Sequence, residues 1–203
     1  MTRIGLLGGS FNPAHSGHRA ISLAAMRALD LDEVWWLVSP GNPLKTGAKD
    51  MAPLAVRLKS ARAMARRAPI RATDIEARLG TCYTVDTLKK LVRLYPRNQF
   101  IWMMGGDNLA QFHRWRDWRG IARTMPIAVI ARPGYEHAAH AGSAMGWLRR
   151  WQRPAHHSSR WAKNWTKWRL PALVLLRFRP DPTSATAARM ADPAWMRHFN
   201  RST

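Results

Sequence analysis

The sequence predicts an α/β fold built on a mainly parallel sheet with flanking helices. Short apolar runs of four or five residues recur along the chain, and turns containing glycine or proline follow them. Amphipathic segments of ten or more residues separate several of these runs. Strands and helices that alternate in this way form right-handed crossovers between parallel strands, and ligands bind at the carboxyl ends of such strands.

The apolar runs predict strands at 4–7, 34–38, 100–104, 127–130 and 172–176, and residues 70–75 predict another. Helical spacing predicts helices at 20–29 and 53–68, and a third that is capped by Thr84 or Asp86 and continues to Leu94. In the helix at 53–68, the residues expected to face the core are Leu54, Leu58, Ala61 and Ala65. Those expected to face solvent are Arg57, Arg62, Arg66 and Arg67.

The chain is strongly basic. Its 203 residues suit one well-packed domain and are few for two, so a single domain is predicted over 1–203. Lys and Arg number 33 against 12 Asp and Glu, a net charge of +21. Such a charge raises the rate of encounter with polyanions, including nucleotides, and favours non-specific nucleic-acid binding. It identifies no substrate, and without a recognised RNA-binding motif we expect no specific nucleic-acid partner.

The cellular setting is predicted from three features. Cys82 is the single cysteine, which excludes an internal disulfide and a cysteine-based zinc site and suits a reducing cytoplasm. The three residues before the first apolar run leave no room for a signal peptide. No apolar stretch approaches the roughly 20 residues of a membrane helix. We therefore expect a cytoplasmic protein without a membrane partner or a metal site of its own.

The most informative stretch is residues 4–18. The Gly8-Gly9 pair after the first predicted strand permits a sharp turn and a close approach of the backbone to a ligand. His15 and His18 lie three residues apart where a helix would begin, so both imidazoles can share a face. Backbone N–H groups, a helix dipole and two imidazoles favour phosphate there. The alternative is an ordinary glycine turn with structural histidines.

The run Gly-Gly-Ser-Phe-Asn-Pro-Ala-His-Ser-Gly-His at 8–18 resembles the signature of nucleotidyltransferases that carry an H-x-G-H box. With His in the first box position, it is similar to bacterial nicotinate-nucleotide adenylyltransferases. The resemblance implies a Rossmann-like nucleotidyltransferase fold and adenylyl transfer from ATP to nicotinate mononucleotide, giving deamido-NAD and pyrophosphate. It also implies that ATP is bound by Gly8, Gly9, Ser10 and Phe11, with His15 and His18 at the phosphates and His18 nearest the α and β groups.

Further segments match this family in order. Thr81 to Leu88 resembles its T-x-Y-T-x-D-T-L segment, which implies that Tyr83 and Thr84 lie beside the nicotinate ring. A G-x-D element implies that Gly105 and Asp107 bind ATP, where the carboxylate would face ribose hydroxyls or a metal. Trp115 matches an aromatic that stacks on the nicotinate ring, although two tryptophans three apart are most often core.

The remaining candidate residues are basic or hydroxylic. Lys45, in an N-P-x-K loop, would lie near the phosphates, although a lysine in such a loop is usually solvated. Arg132 follows the strand at 127–130, at the same sheet edge, and is assigned to the mononucleotide. Ser184, Thr186 and Arg189 resemble an S-S-T-x-I-R phosphate-binding element, with departures at Ala185 and Ala188.

The implied mechanism has no protein nucleophile, because no matched element pairs a Cys, Ser or Lys with an activating base. The phosphate of the mononucleotide attacks the α-phosphorus of ATP in line, and catalysis consists of positioning and charge stabilisation. Arg189 and Lys45 would stabilise the developing pyrophosphate, and Mg²⁺ would bridge phosphate oxygens. Two related activities stay open, on nicotinamide mononucleotide or pantetheine phosphate, although the latter family typically has Thr where this chain has His15.

A segment at 147–169 is rich in tryptophan and arginine and is predicted to be an insertion. Its tryptophans are expected to pack on the domain or on a second subunit, which would make a homo-oligomer. The alternative is a stacking and phosphate platform for single-stranded nucleic acid.

Overall fold

The computed structural model describes residues 1–41, 51–131, 142–153, 162–177 and 183–200. The strands in these ranges are β1 (Arg3–Gly9), β2 (Glu33–Val38), β3 (Ile70–Thr73), β4 (Gln99–Gly105), β5 (Ile127–Ala131), β6 (Gln152–Arg153) and β7 (Leu173–Arg177). The α-helices are α1 (Ser16–Leu29), α2 (Leu54–Ala65), α3 (Ile75–Arg78), α4 (Thr84–Leu94), α5 (Gly106–Gln111), α6 (Trp118–Thr124), α7 (Ser143–Leu148), α8 (Ala185–Ala191) and α9 (Arg197–Asn200).

These seven strands form one sheet in the order β3-β2-β1-β4-β5-β7-β6, and every pairing is parallel. The predicted α/β class with a parallel sheet is therefore confirmed. β1 lies between β2 and β4, so that Leu6 is paired with Trp35 on one side and Trp102 on the other. The chain order reverses between β1 and β4, and a crevice for a ligand opens at the carboxyl ends of strands where such a reversal occurs.

Alternate strand residues face opposite sides of the sheet, and each side has its own apolar core. On one side, Ile4, Leu6 and Trp35 belong to a cluster with Leu88 and Leu91 of α4. The cluster on the other side includes Leu7, Trp36, Ile21, Ala25 and Leu29, which join β1 and β2 to α1. Burial on both faces explains why the strands read as continuous apolar runs.

Two details of the helix predictions are wrong. Arg57 was expected to face solvent but is 2% exposed, because its guanidinium donates to backbone carbonyls of nearby loops. Neither Thr84 nor Asp86 caps α4: Tyr83 occupies the capping position, and its side chain forms no capping hydrogen bond. The predicted strand at 70–75 ends at Thr73, and α3 follows it.

The tryptophan-rich segment contacts the domain at two places. Trp165 is 2% exposed, and its indole N–H donates to the carbonyl of Leu29 at 3.0 Å. The ring of Trp147 lies 5.3 Å from that of Trp118 and 4.2 Å from that of Trp151. Residues 154–161 of this segment lie outside the described ranges. No helix in the described part of the chain has the length and apolarity needed to cross a membrane.

Candidate active site

A cavity of about 670 Å³ opens at the carboxyl ends of β1, β2 and β4. The sequence-predicted residues that line it are Gly8, Gly9, Ser10, His18, Tyr83, Thr84, Gly105, Asp107 and Trp115. They come from segments far apart in the chain. Gly8, Gly9 and Gly105 meet because β1 and β4 are parallel neighbours, and the beginning of α4 brings Tyr83 and Thr84 to the same edge. The fold thus brings the run at 8–18, the Tyr83-Thr84 pair and Trp115 to one cavity.

The glycine turn after β1 forms one wall. A Cβ at Gly8 would lie 2.5 Å from Cη2 of Trp102, so the backbone passes close against the benzene half of the indole. Phe11 does not line the cavity: it is buried, and its ring stacks on Trp36 at 5.1 Å. The same ring lies 4.7 Å from that of His18. Phe11 therefore supports the histidine from beneath, and contact with ATP stays a prediction for it.

The two histidines of the box have different surroundings. His15 is the capping residue of α1 and is 5% exposed, whereas His18 lines the cavity. Their rings lie 3.8 Å apart, and the backbone N–H of His15 donates to Nδ1 of His18 at 3.3 Å. This hydrogen bond fixes the ring of His18 at the beginning of α1, where the helix dipole favours an anion.

Aromatic and basic side chains form another part of the lining. The half-buried Trp115 packs edge-on against Trp102 at 6.2 Å and against Phe112 at 5.3 Å. The guanidinium of Arg116 lies 4.5 Å from the centre of the Tyr83 ring, and both residues line the cavity. A flat ring and a cation in one place suit an aromatic ligand that carries negative charge.

Three functional candidates were missed in the sequence. Arg114 and Arg116 flank Trp115 and line the cavity, and their signal was the Arg-Trp-Arg run. Glu76 also lines it, but nothing in the sequence distinguishes this residue from a solvated glutamate. It is 8% exposed, and burial raises its pKa to about 7, against the smaller opposing effect of hydrogen bonds from Thr87 and Ser39.

The segment at 184–189, which carries Ser184, Thr186 and Arg189, lies against the run at 8–18 and outside the cavity lining. Ser184 accepts the N–H of Ala187 as the cap of α8, and Thr186 is exposed. Nη1 of Arg189 donates to the carbonyl of Asn12 at 2.6 Å. This contact places the segment at 184–189 beside the loop that follows β1, while the phosphate contacts of Ser184, Thr186 and Arg189 stay predictions. Lys45 and Arg132 lie outside the described residues.

Comparison with known proteins identifies the class. Residues 6–191 match the cytidylyltransferase-like family, so the chain belongs to it. It is 62% identical over 194 residues to a probable nicotinate-nucleotide adenylyltransferase of Erythrobacter litoralis, covering 95% of this chain and 86% of that relative. A Ruegeria relative of the same name is 44% identical over 192 residues, covering 95% and 87%. Within the class, the chain belongs to the nicotinate-nucleotide adenylyltransferases.

A solved structure agrees on the fold. Plasmodium falciparum nicotinic acid mononucleotide adenylyltransferase, complexed with NaAD, superposes with a TM-score of 0.65 over 94% of this chain and 83% of that chain. The two sequences are 17% identical, so this likeness bears on architecture alone.

Proposed function

We propose that this protein transfers the adenylyl group of ATP to nicotinate mononucleotide, which yields deamido-NAD and pyrophosphate. The observation that carries the proposal is that His18 and Trp115 line the same cavity. Gly8, Gly9 and His18 supply a place for phosphates, and Trp115 with Tyr83 supplies one for a planar ring. Both substrates of the reaction contain these two kinds of group.

The reaction needs positioning more than covalent chemistry. A phosphate oxygen of the mononucleotide forms a bond to the α-phosphorus of ATP, and the bond from that phosphorus to pyrophosphate breaks. His18 accepts the His15 N–H at Nδ1, so in the neutral ring Nε2 carries the proton and serves as a donor to a phosphate oxygen. A donor that is already oriented costs no reorganisation when charge develops.

The nicotinate carboxylate needs donors once it leaves water. Thr84, the first residue of α4, lines the cavity and offers a hydroxyl and a backbone N–H. Arg114 and Arg116 add positive charge along the same lining. We assign the ring of the mononucleotide to the space between these groups and Trp115.

The remaining assignments complete the proposal. The exposed carboxylate of Asp107 at the cavity would help to hold Mg²⁺ brought with ATP, because carboxylate oxygens are the ligands this ion prefers, and the ion would supply charge stabilisation. Arg189 and Lys45 are assigned to the leaving pyrophosphate. A cytoplasmic location suits a reaction that consumes ATP. Packing of the segment at 147–169 on a second subunit, the alternative to packing on the domain, would make a homo-oligomer.

One assay tests the proposal. Purified protein with ATP and Mg²⁺ is offered nicotinate mononucleotide, nicotinamide mononucleotide and phosphopantetheine separately, and pyrophosphate release is measured. We expect the fastest release with nicotinate mononucleotide and none above background with phosphopantetheine. Release with phosphopantetheine alone, or with no acceptor, would contradict the proposed reaction.

A further inference from the structure

Arg57 is a buried cation that the adenylyl transfer described above does not use. It lies near the beginning of α2 and is 2% exposed. Burial lowers the pKa of Arg57 because the charged guanidinium loses its hydration. A buried charge is costly unless its donors are satisfied, so the partners of this side chain are informative.

The guanidinium donates to main-chain carbonyls of three segments. Nη1 donates to the oxygen of Ser10 at 2.7 Å and to that of Ser39 at 2.8 Å. Nε donates to Ala52 at 2.8 Å, and Nη2 lies 3.5 Å from the oxygen of Pro40. One side chain therefore joins the loop after β1, the loop after β2 and the residues that lead into α2.

Both loops line the cavity, but Arg57 does not. Ser10 and Ser39 are lining residues on separate strands' ends, and a single nitrogen atom of Arg57 is hydrogen-bonded to both of their carbonyls. Arg57 therefore holds these two parts of the cavity wall at a defined distance, from the side that faces away from the cavity.

We propose that Arg57 is a positioning residue for both substrates, which fixes the spacing of the Ser10 and Ser39 loops and holds a positive charge behind the phosphate end of the cavity. The proposal rests on the function proposed above. It concerns a residue that touches neither substrate and acts through the two backbone segments.

The geometry requires arginine. Its planar fork donates from Nε and from the terminal nitrogens in fixed directions, so Ala52 and the two loops are reached together. Lysine keeps the charge, but its single nitrogen cannot occupy the Nε and Nη1 positions at once. A charge requirement and a spacing requirement can therefore be separated by substitution.

The test compares Arg57→Lys and Arg57→Gln with Arg62→Lys, a matched control on the exposed side of the same helix. The Kd for ATP is measured by calorimetry without acceptor, kcat and both KM values by pyrophosphate release, and folding by thermal melting. For folded Arg57→Lys we expect both the Kd for ATP and the KM for nicotinate mononucleotide to rise, and kcat to fall about 10–100-fold, the scale of a small misplacement of reacting groups. We expect Arg57→Gln to show a larger rise in Kd and KM and a larger fall in kcat than Arg57→Lys. Arg62→Lys should have the wild-type Kd and kinetics.

Several results would overturn the proposal. The first is a folded Arg57→Lys with wild-type Kd and kinetics. The second is that Arg57→Lys and Arg57→Gln lose thermal stability but keep full kcat per folded molecule. The third is that neither variant folds. Either of these results would mean that Arg57 contributes to stability only. If the wild type rejects nicotinate mononucleotide, the proposed function fails, while the Kd for ATP still decides the role of Arg57.

Discussion

The backbone N–H of His15 donates to Nδ1 of His18 at 3.3 Å, so the residue that caps α1 orients the histidine that lines the cavity. The bond occupies one ring nitrogen of His18 and assigns the proton of the neutral ring to the other. The two histidines of the box thus have different positions: His15 caps α1, and His18 faces the cavity.

Replacing His18 tests this division. We expect His18→Ala to lower kcat about 10²-fold or more, the scale of losing one preorganised donor to developing charge, with the fold retained. Pyrophosphate release and a thermal melt check both parts. His18→Gln, which keeps an N–H donor, should recover part of the loss. The exposed His113, outside the cavity lining, provides the control variant His113→Ala. Near-wild-type kcat in folded His18→Ala would remove this residue from the mechanism.

Trp115 is expected to stack on the pyridine ring of the mononucleotide. Trp115→Ala should raise the KM for the mononucleotide about tenfold, the scale of one aromatic contact, and leave the KM for ATP unchanged. Trp115→Phe keeps a ring and should lose less. Trp151→Ala, in the half-buried cluster with Trp147, serves as the control. An equal loss of ATP affinity would assign Trp115 to core packing.

Alanine substitutions at Gly8 and Gly146 test how closely the backbone at the end of β1 approaches Trp102. Gly8 is the crowded position, and Gly146 is the uncrowded control. Gly8→Ala would bring a Cβ to 2.5 Å from the buried Trp102 ring, which is rigid, so we expect a loss of about 1–3 kcal/mol in the free energy of unfolding. A Cβ at Gly146, in α7, meets nothing within 4 Å, and Gly146→Ala should stabilise by about 0.5–1 kcal/mol. Urea unfolding measures both, and an unchanged Gly8→Ala would show that Trp102 yields.

The sequence predicted the parts of this protein that depend on local pattern. The apolar runs around Leu6 and Trp36 predicted parallel strands because both faces of the sheet are covered. His18 and Trp115 were found because their motifs resemble a known family. Their shared cavity followed from the rule that carboxyl ends of parallel strands meet at one edge.

Three residues show where sequence reasoning ended. Hydrophobic periodicity treats arginine as polar, so it placed Arg57 in solvent, whereas carbonyls from separate loops satisfy it inside the protein. Glu76 became part of the cavity only through the packing of distant segments, and Arg116, which adjoins the predicted Trp115, lines it beside Tyr83, more than thirty residues earlier in the chain. Such convergence of backbone oxygens and cavity walls has no periodic signature.

Glu76 predicts a dependence of stability on pH. Burial raises its pKa from 4.5 to about 7 in the folded protein, so the folded state binds more protons than the unfolded state between these values. The contribution of Glu76 to the free energy of unfolding should therefore be most favourable below pH 4.5 and fall by about 3 kcal/mol as pH rises to 7. Above that range it stays constant.

Urea unfolding of wild type and Glu76→Gln at a series of pH values checks this dependence. The difference between the two should carry the slope, since Gln does not titrate. Glu33→Gln, at the amino end of β2, should retain the wild-type slope. Parallel pH profiles for wild type and Glu76→Gln would show that the carboxyl of Glu76 titrates normally.

Substrate choice is where charge in the cavity decides the outcome. Nicotinate carries a carboxylate that nicotinamide lacks, and removing this charge from water is costly unless donors and cations meet it. Arg114 and Arg116 line the cavity, and the guanidinium of Arg116 lies 4.5 Å from the Tyr83 ring centre. We expect kcat/KM for nicotinate mononucleotide to exceed that for the amide at least about tenfold, equivalent to ~1.4 kcal/mol of transition-state binding.

Arg116→Gln should lower this ratio of the two kcat/KM values, because it removes one of the cations that would meet the carboxylate. The control is Arg119→Gln. The guanidinium of Arg119 lies 4.4 Å from the Trp118 ring centre, outside the cavity lining, so this change should leave the ratio unchanged. Both mononucleotides are assayed side by side with each variant, and an equal or reversed preference in the wild type would show that these cations do not select the acid.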